Sequence, residues 1–196
     1  MSTPKAISWL PIAAILAALA VLPACSVNVK DPGDDGNSKV DINTPVGAIH
    51  VNENADARDA GLPVYPGARM KPKSKDGDSK SANVNLSAFG YGLKVVALEY
   101  ESDDAPGKII AFYHDQLKKY GNVVECPTLG HFHLNMKYSD KSGDSHSLTC
   151  DSVGGTNIEL KAGTDENQHI VAVESEGKGS SFSLVYVRTH GKEADI

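Results

Sequence analysis

The chain has 196 residues, 40% hydrophobic and 22% charged, with 19 basic against 25 acidic side chains for a net charge of −6. That length gives one domain plus terminal segments, and the composition excludes a multi-span membrane protein, a collagen-like chain and a wholly disordered one. The acidic balance argues against nucleic-acid binding, which needs clustered Lys and Arg to neutralise phosphates.

Lys5 is the only charged side chain among the first 25 residues, and an apolar run from Ala6 to Leu22 follows it, broken by Ser8 and Pro11. A basic start, an apolar centre and small residues at the end read as an export signal over residues 1–24. The run falls short of the roughly 20 apolar residues of a spanning helix. Its end, Leu22-Pro23-Ala24-Cys25-Ser26, resembles the lipobox of bacterial lipoproteins, although Pro23 stands where Ala or Ser is usual. The resemblance implies cleavage before Cys25 and acylation of its thiol, with the lipid bilayer as partner. Each buried CH₂ contributes about 0.8 kcal/mol, so several acyl chains anchor stably. In two-membrane bacteria, Asp after the lipidated Cys retains a lipoprotein in the inner membrane. Ser26 at that position implies the outer membrane. The competing reading is an uncleaved anchor, or a cut elsewhere that leaves Cys25 incidental.

Three cysteines are an awkward number for an exported protein. Assigning Cys25 to lipid leaves Cys126 and Cys150, for which a disulfide is the default in an oxidising compartment. The closed loop stabilises by roughly 3–4 kcal/mol in the chain-entropy model. Two buried free thiols are the alternative, and the spacing fits neither a CxxC redox motif nor a zinc knuckle.

Residues 25–39 read as a lipidated N-terminus and flexible polar linker, rich in Asp with Pro32, Gly33 and Gly36. An acidic body on such a tether is repelled by anionic headgroups and stands off the bilayer. Residues 40–60 read as a lead-in: a small hairpin around Thr44-Pro45-Val46-Gly47, then one or two helical turns from Asn54 to Ala60, stopped by Gly61 and Pro63. Pro63 and Pro66 force extended geometry before a Pro-Gly turn. Residues 71–83 form an exposed lysine-rich loop, and Val84 to Tyr100 supplies two strands.

Ser102-Asp103-Asp104 predicts a helix over about 105–120, with a Ser or Asp N-cap and Pro106 in the first turn. Ile109, Ile110, Tyr113 and Leu117 form one apolar stripe, and Gly121 stops the helix. Strands follow at 122–126, 131–138, 145–150, 156–161, 169–175 and 181–189. The last two form a hairpin through residues 176–180, with Phe182, Leu184, Tyr186 and Arg188 on one face and Val185 and Val187 on the other. The expected fold is α+β, a single domain over 61–190 in which one principal helix packs an antiparallel sheet.

Leu62-Pro63-Val64-Tyr65-Pro66-Gly67-Ala68, the Asp104-Ala105-Pro106 start and Ile110-Ala111-Phe112-Tyr113 resemble a recurrent exported bacterial domain with a "YPGA" turn and an "FY" helix. The similarity covers about residues 61–126. It implies fold and compartment and carries no activity.

His131-Phe132-His133 puts two imidazoles on one strand face, able to clamp Zn²⁺ or Cu²⁺ with His146 as third ligand. The competing reading is an exposed polar face with Phe132 and Leu134 turned inward. His114-Asp115 on the helix diverge by about 100° and read as a solvated face. The chain has no Gly-x-Ser-x-Gly elbow, P-loop, EF-hand, HExxH or Rossmann fingerprint. The expectation is therefore a membrane-tethered, non-catalytic binding module of the cell envelope, without cofactor and with a protein partner the sequence does not specify. The alternative is an envelope metal-handling protein or enzyme using His131 and His133.

Overall fold

Apolar and polar side chains alternate through most of the chain, and the backbone follows that alternation into strands. The structure, a computed structural model, describes residues 25–30, 38–72, 80–129, 148–150 and 154–191. Among these, ten strands make one antiparallel sheet: β1 (Ser26–Lys30), β2 (Lys39–Thr44), β3 (Gly47–Asn52), β4 (Arg69–Met70), β5 (Ser81–Ala88), β6 (Tyr91–Ser102), β7 (Val124–Thr128), β8 (Asn157–Thr164), β9 (Asn167–Glu176) and β10 (Gly179–His190). The order across it is β1-β2-β3-β5-β6-β10-β9-β8-β7, with the short β4 beside β6 at Tyr100 and Glu101. One helix of twelve residues, α1 (Pro106–Leu117), links β6 to β7 and runs into a 3₁₀ turn at Lys118–Tyr120.

The expected α+β architecture with a principal helix is thereby corrected. Strands take 56% of the described residues, and the fold is nearly all sheet. The helix is a single short one, and the hairpin expected in the lead-in joins the main sheet through β3 and β5. Two stretches not expected as strands add to it: Ser26–Lys30, assigned to a linker, pairs residue by residue with β2, and Ser81–Asn83, assigned to an exposed loop, begins β5. Both are too short for their own propensity to decide. Their strand geometry comes from backbone pairing with a neighbour.

The helix lies where its apolar stripe predicts. Ile109, Tyr113 and Leu117 are fully buried and pack on Leu160 and Ala162 of β8, Val171 and Val173 of β9, and Phe182 and Leu184 of β10. Register explains that patch: Tyr100, Phe182, Val173 and Ile158 lie in one row across four strands, and Leu98, Leu184, Val171 and Leu160 in the next. The expected side-chain cap is absent. Ala105 is the N-cap; Ser102 Oγ instead accepts from the Asp104 amide at 3.2 Å. The Asp104 carboxylate takes Lys108 Nζ at 2.6 Å and the Tyr65 hydroxyl at 3.0 Å. Pro106 opens the helix, as its fixed φ favours.

The "YPGA" segment is tied to this core through Tyr113. Its hydroxyl donates to the Pro63 carbonyl at 3.1 Å and accepts from the Tyr65 amide at 3.0 Å. Tyr65, Phe112, Tyr113, Tyr100 and Phe182 form a continuous aromatic cluster, with ring centroids 5.0 to 6.5 Å apart. Edge-on and tilted contacts dominate, as the ring quadrupoles favour. Ahead of it, the predicted helical turn is a 3₁₀ turn at Ala57–Ala60, capped reciprocally by Asp56 and Asp59 and ended by Gly61 at φ 72°.

On the face away from α1, the sheet carries a second apolar layer. Val29, Val40, Val51, Val84, Val95 and Val187 stand in register across six strands. Val185, Val187 and Ile170 are buried there. As expected for the last hairpin, Val185 and Val187 face opposite to Phe182 and Leu184.

Candidate functional site

Cys25 lies one residue ahead of β1, exposed and with its thiol unpaired. The other two cysteines are joined: Cys126 on edge strand β7 and Cys150 form a disulfide with S–S 2.02 Å and Cα atoms 5.4 Å apart. The sulfur of Cys126 is buried in the face away from α1, beside Glu159 of β8 in the same row. The bridge fastens the chain after β7 to the edge of the sheet, where β8 alone pairs it.

His131, His133 and His146, the candidate metal ligands, lie outside the described residues. Among the described residues no group of three or more His, Cys, Asp or Glu side chains could hold a metal ion. One imidazole cluster is described. His50 Nδ1 lies 2.7 Å from the Asp41 carboxylate, which also takes Lys39 Nζ at 3.1 Å. The hydrogen bond from His50, with help from Lys39, holds the Asp41 carboxyl below its ordinary range. This group sits on the polar face of β2 and β3, open to water.

Of the described histidines, the most enclosed is one that sequence reasoning passed over. His169 on β9 is 5% exposed, and its Nδ1 lies 2.9 Å from the Ala60 carbonyl. A carbonyl only accepts, so Nδ1 carries the proton. The Tyr120 ring stacks on the imidazole at 3.5 Å, and Tyr186 closes in from β10 at 4.8 Å. Burial pushes the imidazole below its ordinary value, against the pull of the Ala60 bond, and the Lys119 ammonium adds to the lowering. Tyr120 and Lys119 both donate to the Gly61 carbonyl. A Cβ on Gly61 would stand 2.6 Å from the Tyr120 hydroxyl and 3.0 Å from the His169 ring. The signal for this site was the alternation in β9: His169 shares a face with Val171 and Val173, both buried. The arrangement locks the Ala57–Gly61 turn to the sheet and commits Nδ1 to the Ala60 carbonyl.

Chemistry elsewhere is similarly committed. The buried Ser180 hydroxyl donates to the Asp104 carbonyl at 2.6 Å and the Thr44 hydroxyl to the Gly47 carbonyl at 2.9 Å, so neither has a base as its acceptor. A hollow of about 490 Å³ opens on the face away from α1, among Lys71, Lys80, Glu99 and Ser183. That volume suits a small ligand. Its lysines are already engaged, Lys71 with Glu176 at 2.8 Å and Lys80 with Glu99 at 3.5 Å.

No family model, curated protein or solved structure matches the chain. The site therefore has to be read from its own residues.

Proposed function

We propose that the protein is a lipid-anchored, non-catalytic binding or interaction module of the bacterial cell envelope, acylated on Cys25 and facing the periplasm. In a two-membrane cell the outer membrane is its place. One observation carries this reading: of the three cysteines, the two in the body are consumed by a disulfide, and the exposed, unpaired one follows Leu22-Pro23-Ala24 at the end of an apolar leader. A thiol in the open at the entry of β1 suits covalent lipid attachment, because nothing in the folded body needs that side chain. The resemblance of residues 61–126 to exported bacterial domains supports the same compartment.

The test is the intact mass of protein made in a bacterium with its own leader. The expected species is residues 25–196 plus acyl chains, fractionating with membranes, and C25A abolishes both the added mass and the membrane association. An unmodified mass in the soluble fraction overturns the anchor.

A further inference from the structure

The strand register shows what surrounds Cys25. Ser26 pairs with Asn43, Asn43 with Ala48, Ala48 with Ser87, Ser87 with Gly92, and Gly92 with His190. Cys25, the Pro45-Val46 turn and the Phe89-Gly90 turn therefore project side by side beyond this row, at one end of the sheet. The apolar side chains there are open: Phe89 is 66% exposed, Val27 64%, Val46 54% and Tyr91 51%.

Acidic and basic side chains are missing from β1, β2, β3, β5 and the start of β6 at this end: Cys25–Val29, Ile42–Ile49 and Ser81–Leu93 contain no Asp, Glu, Lys, Arg or His, in a chain that is 22% charged. One titratable side chain borders the surface, His190 of β10, which lines a shallow hollow with Val46, Phe89 and Tyr91. The first charged row across these strands holds Asp41, His50 and Lys94, three residues back from the turns. At about 3.3 Å per residue the uncharged layer is about 10 Å deep. That matches the 5–10 Å to which apolar side chains enter the boundary between headgroups and acyl chains.

Phe89 carries two local penalties at once. It is the only non-glycine among the described residues with a positive φ, at 54°. The first position of such a two-residue hairpin turn normally belongs to Asn, Asp or Gly. A side chain there costs on the order of 1–2 kcal/mol. The side chain stays two-thirds exposed, so burial in the folded chain offsets little of this.

We propose that this end of the sheet seats on the bilayer that holds the anchor, with Phe89, Tyr91, Val46 and Val27 inserted among the lipid headgroups. The proposal rests on Cys25 carrying lipid, and it fixes the orientation that follows. Because β1 begins one residue after Cys25, the anchor holds the sheet end at the surface, not at the end of a long tether. The Asp165-Glu166 turn lies at the same end but between β8 and β9, where the Glu166 backbone carbonyl accepts from the Thr189 amide at 2.8 Å. That acidic corner is kept off anionic lipid, so the sheet leans on its β1–β6 side.

The experiment uses the chain made with its own leader, carrying F89W, purified from membranes and placed in phosphatidylcholine vesicles with or without brominated acyl chains. Trp9, the only tryptophan, leaves with the leader, so the mature variant reports from one position. V46W repeats the measurement if F89W does not fold. V64W is the control, at the far end of the sheet beside the Tyr65–Phe182 contact. The expected result is blue-shifted emission quenched by brominated lipid for F89W and V46W, and solvent-like unquenched emission for V64W. An acylated protein whose F89W and V46W emission stays solvent-like overturns the seating while leaving the anchor intact. Blue-shifted emission without bromine quenching, together with a dimeric mass, assigns the surface to a second copy and also overturns it. If the mass shows no acyl chains, the anchor reading fails; quenching of the unacylated protein then sustains the surface alone, and its absence ends both.

Discussion

Two halves of one sheet have been given different fates. β6, β10, β9 and β8 carry α1 on one face and a buried Val185–Val187–Ile170 layer on the other, so their strands are filled from both sides. No described side chain of β1, β2, β3 or β5 is buried. Those four strands keep the same alternation, with valine and isoleucine on one face and Asn28, Asp41, His50 and Asn85 on the other. Alternation and backbone pairing are thus enough to make a strand, but a core needs a second layer. Stability should concentrate in the covered half, and the open half is available for contact.

The largest test of that contrast is F182A. Phe182 is 1% exposed at the centre of the aromatic cluster, and truncating a buried Phe costs about 3–5 kcal/mol. Urea unfolding should show a much lower midpoint. Next is the C126A/C150A pair, which removes the bridge on edge strand β7. The chain-entropy model gives a loss of roughly 3 kcal/mol, and the unfolding midpoint of the parent should fall similarly on reduction. Y113F removes the hydroxyl that joins the Tyr65 amide to the Pro63 carbonyl, at a place only partly shielded from water. It should lose about 0.5–1.5 kcal/mol, the net worth of an ordinary hydrogen bond, with the fold retained by circular dichroism.

His169 sharpens the comparison through pH. Its folded value is depressed, so the native state binds fewer protons than the unfolded chain near its ordinary range. Its stabilisation is complete above the unfolded value and declines as pH falls through and below that value towards the folded one. Thermal unfolding should therefore drop between neutral pH and about pH 5, and H169Q should flatten that dependence while lowering stability at neutral pH. The smallest effect belongs to the open half. V40T, on partly exposed β2, should change stability by about 0.5 kcal/mol or less. A loss as large as that of F182A would mean the open face is covered in the free protein.

Legibility followed how local each determinant was. The helix over 105–120 was readable because Ile109, Tyr113 and Leu117 recur at helical spacing and Pro106 and Gly121 bracket them. Its cap was not, since Ser102 accepts from the Asp104 amide and the Asp104 carboxylate takes Lys108 and the distant Tyr65 hydroxyl. The cysteine pair could be expected from count and compartment, and the bridge is present. β1 could not be expected. Ser26–Lys30 carries one Val-x-Val alternation, too short to stand out beside the polar residues that follow it, and its register with β2 makes it a strand. His169 was half-legible: its alternation with Val171 and Val173 marks the inward face, but nothing local shows that Tyr120 stacks on it there.

By itself the sequence determined the pairing of Cys126 with Cys150, the helix and most of the described strand segments; the leader and the acylation of Cys25 remain proposals read from the same sequence. These depend on composition, count and short-range period. Tertiary structure alone decided that every described strand joins one sheet, that His169 is enclosed, and that Cys25 emerges beside Val46 and Phe89. Residues 25, 46 and 89 are brought together by strand register, which is set by pairing over long sequence separations and leaves no trace in any local window.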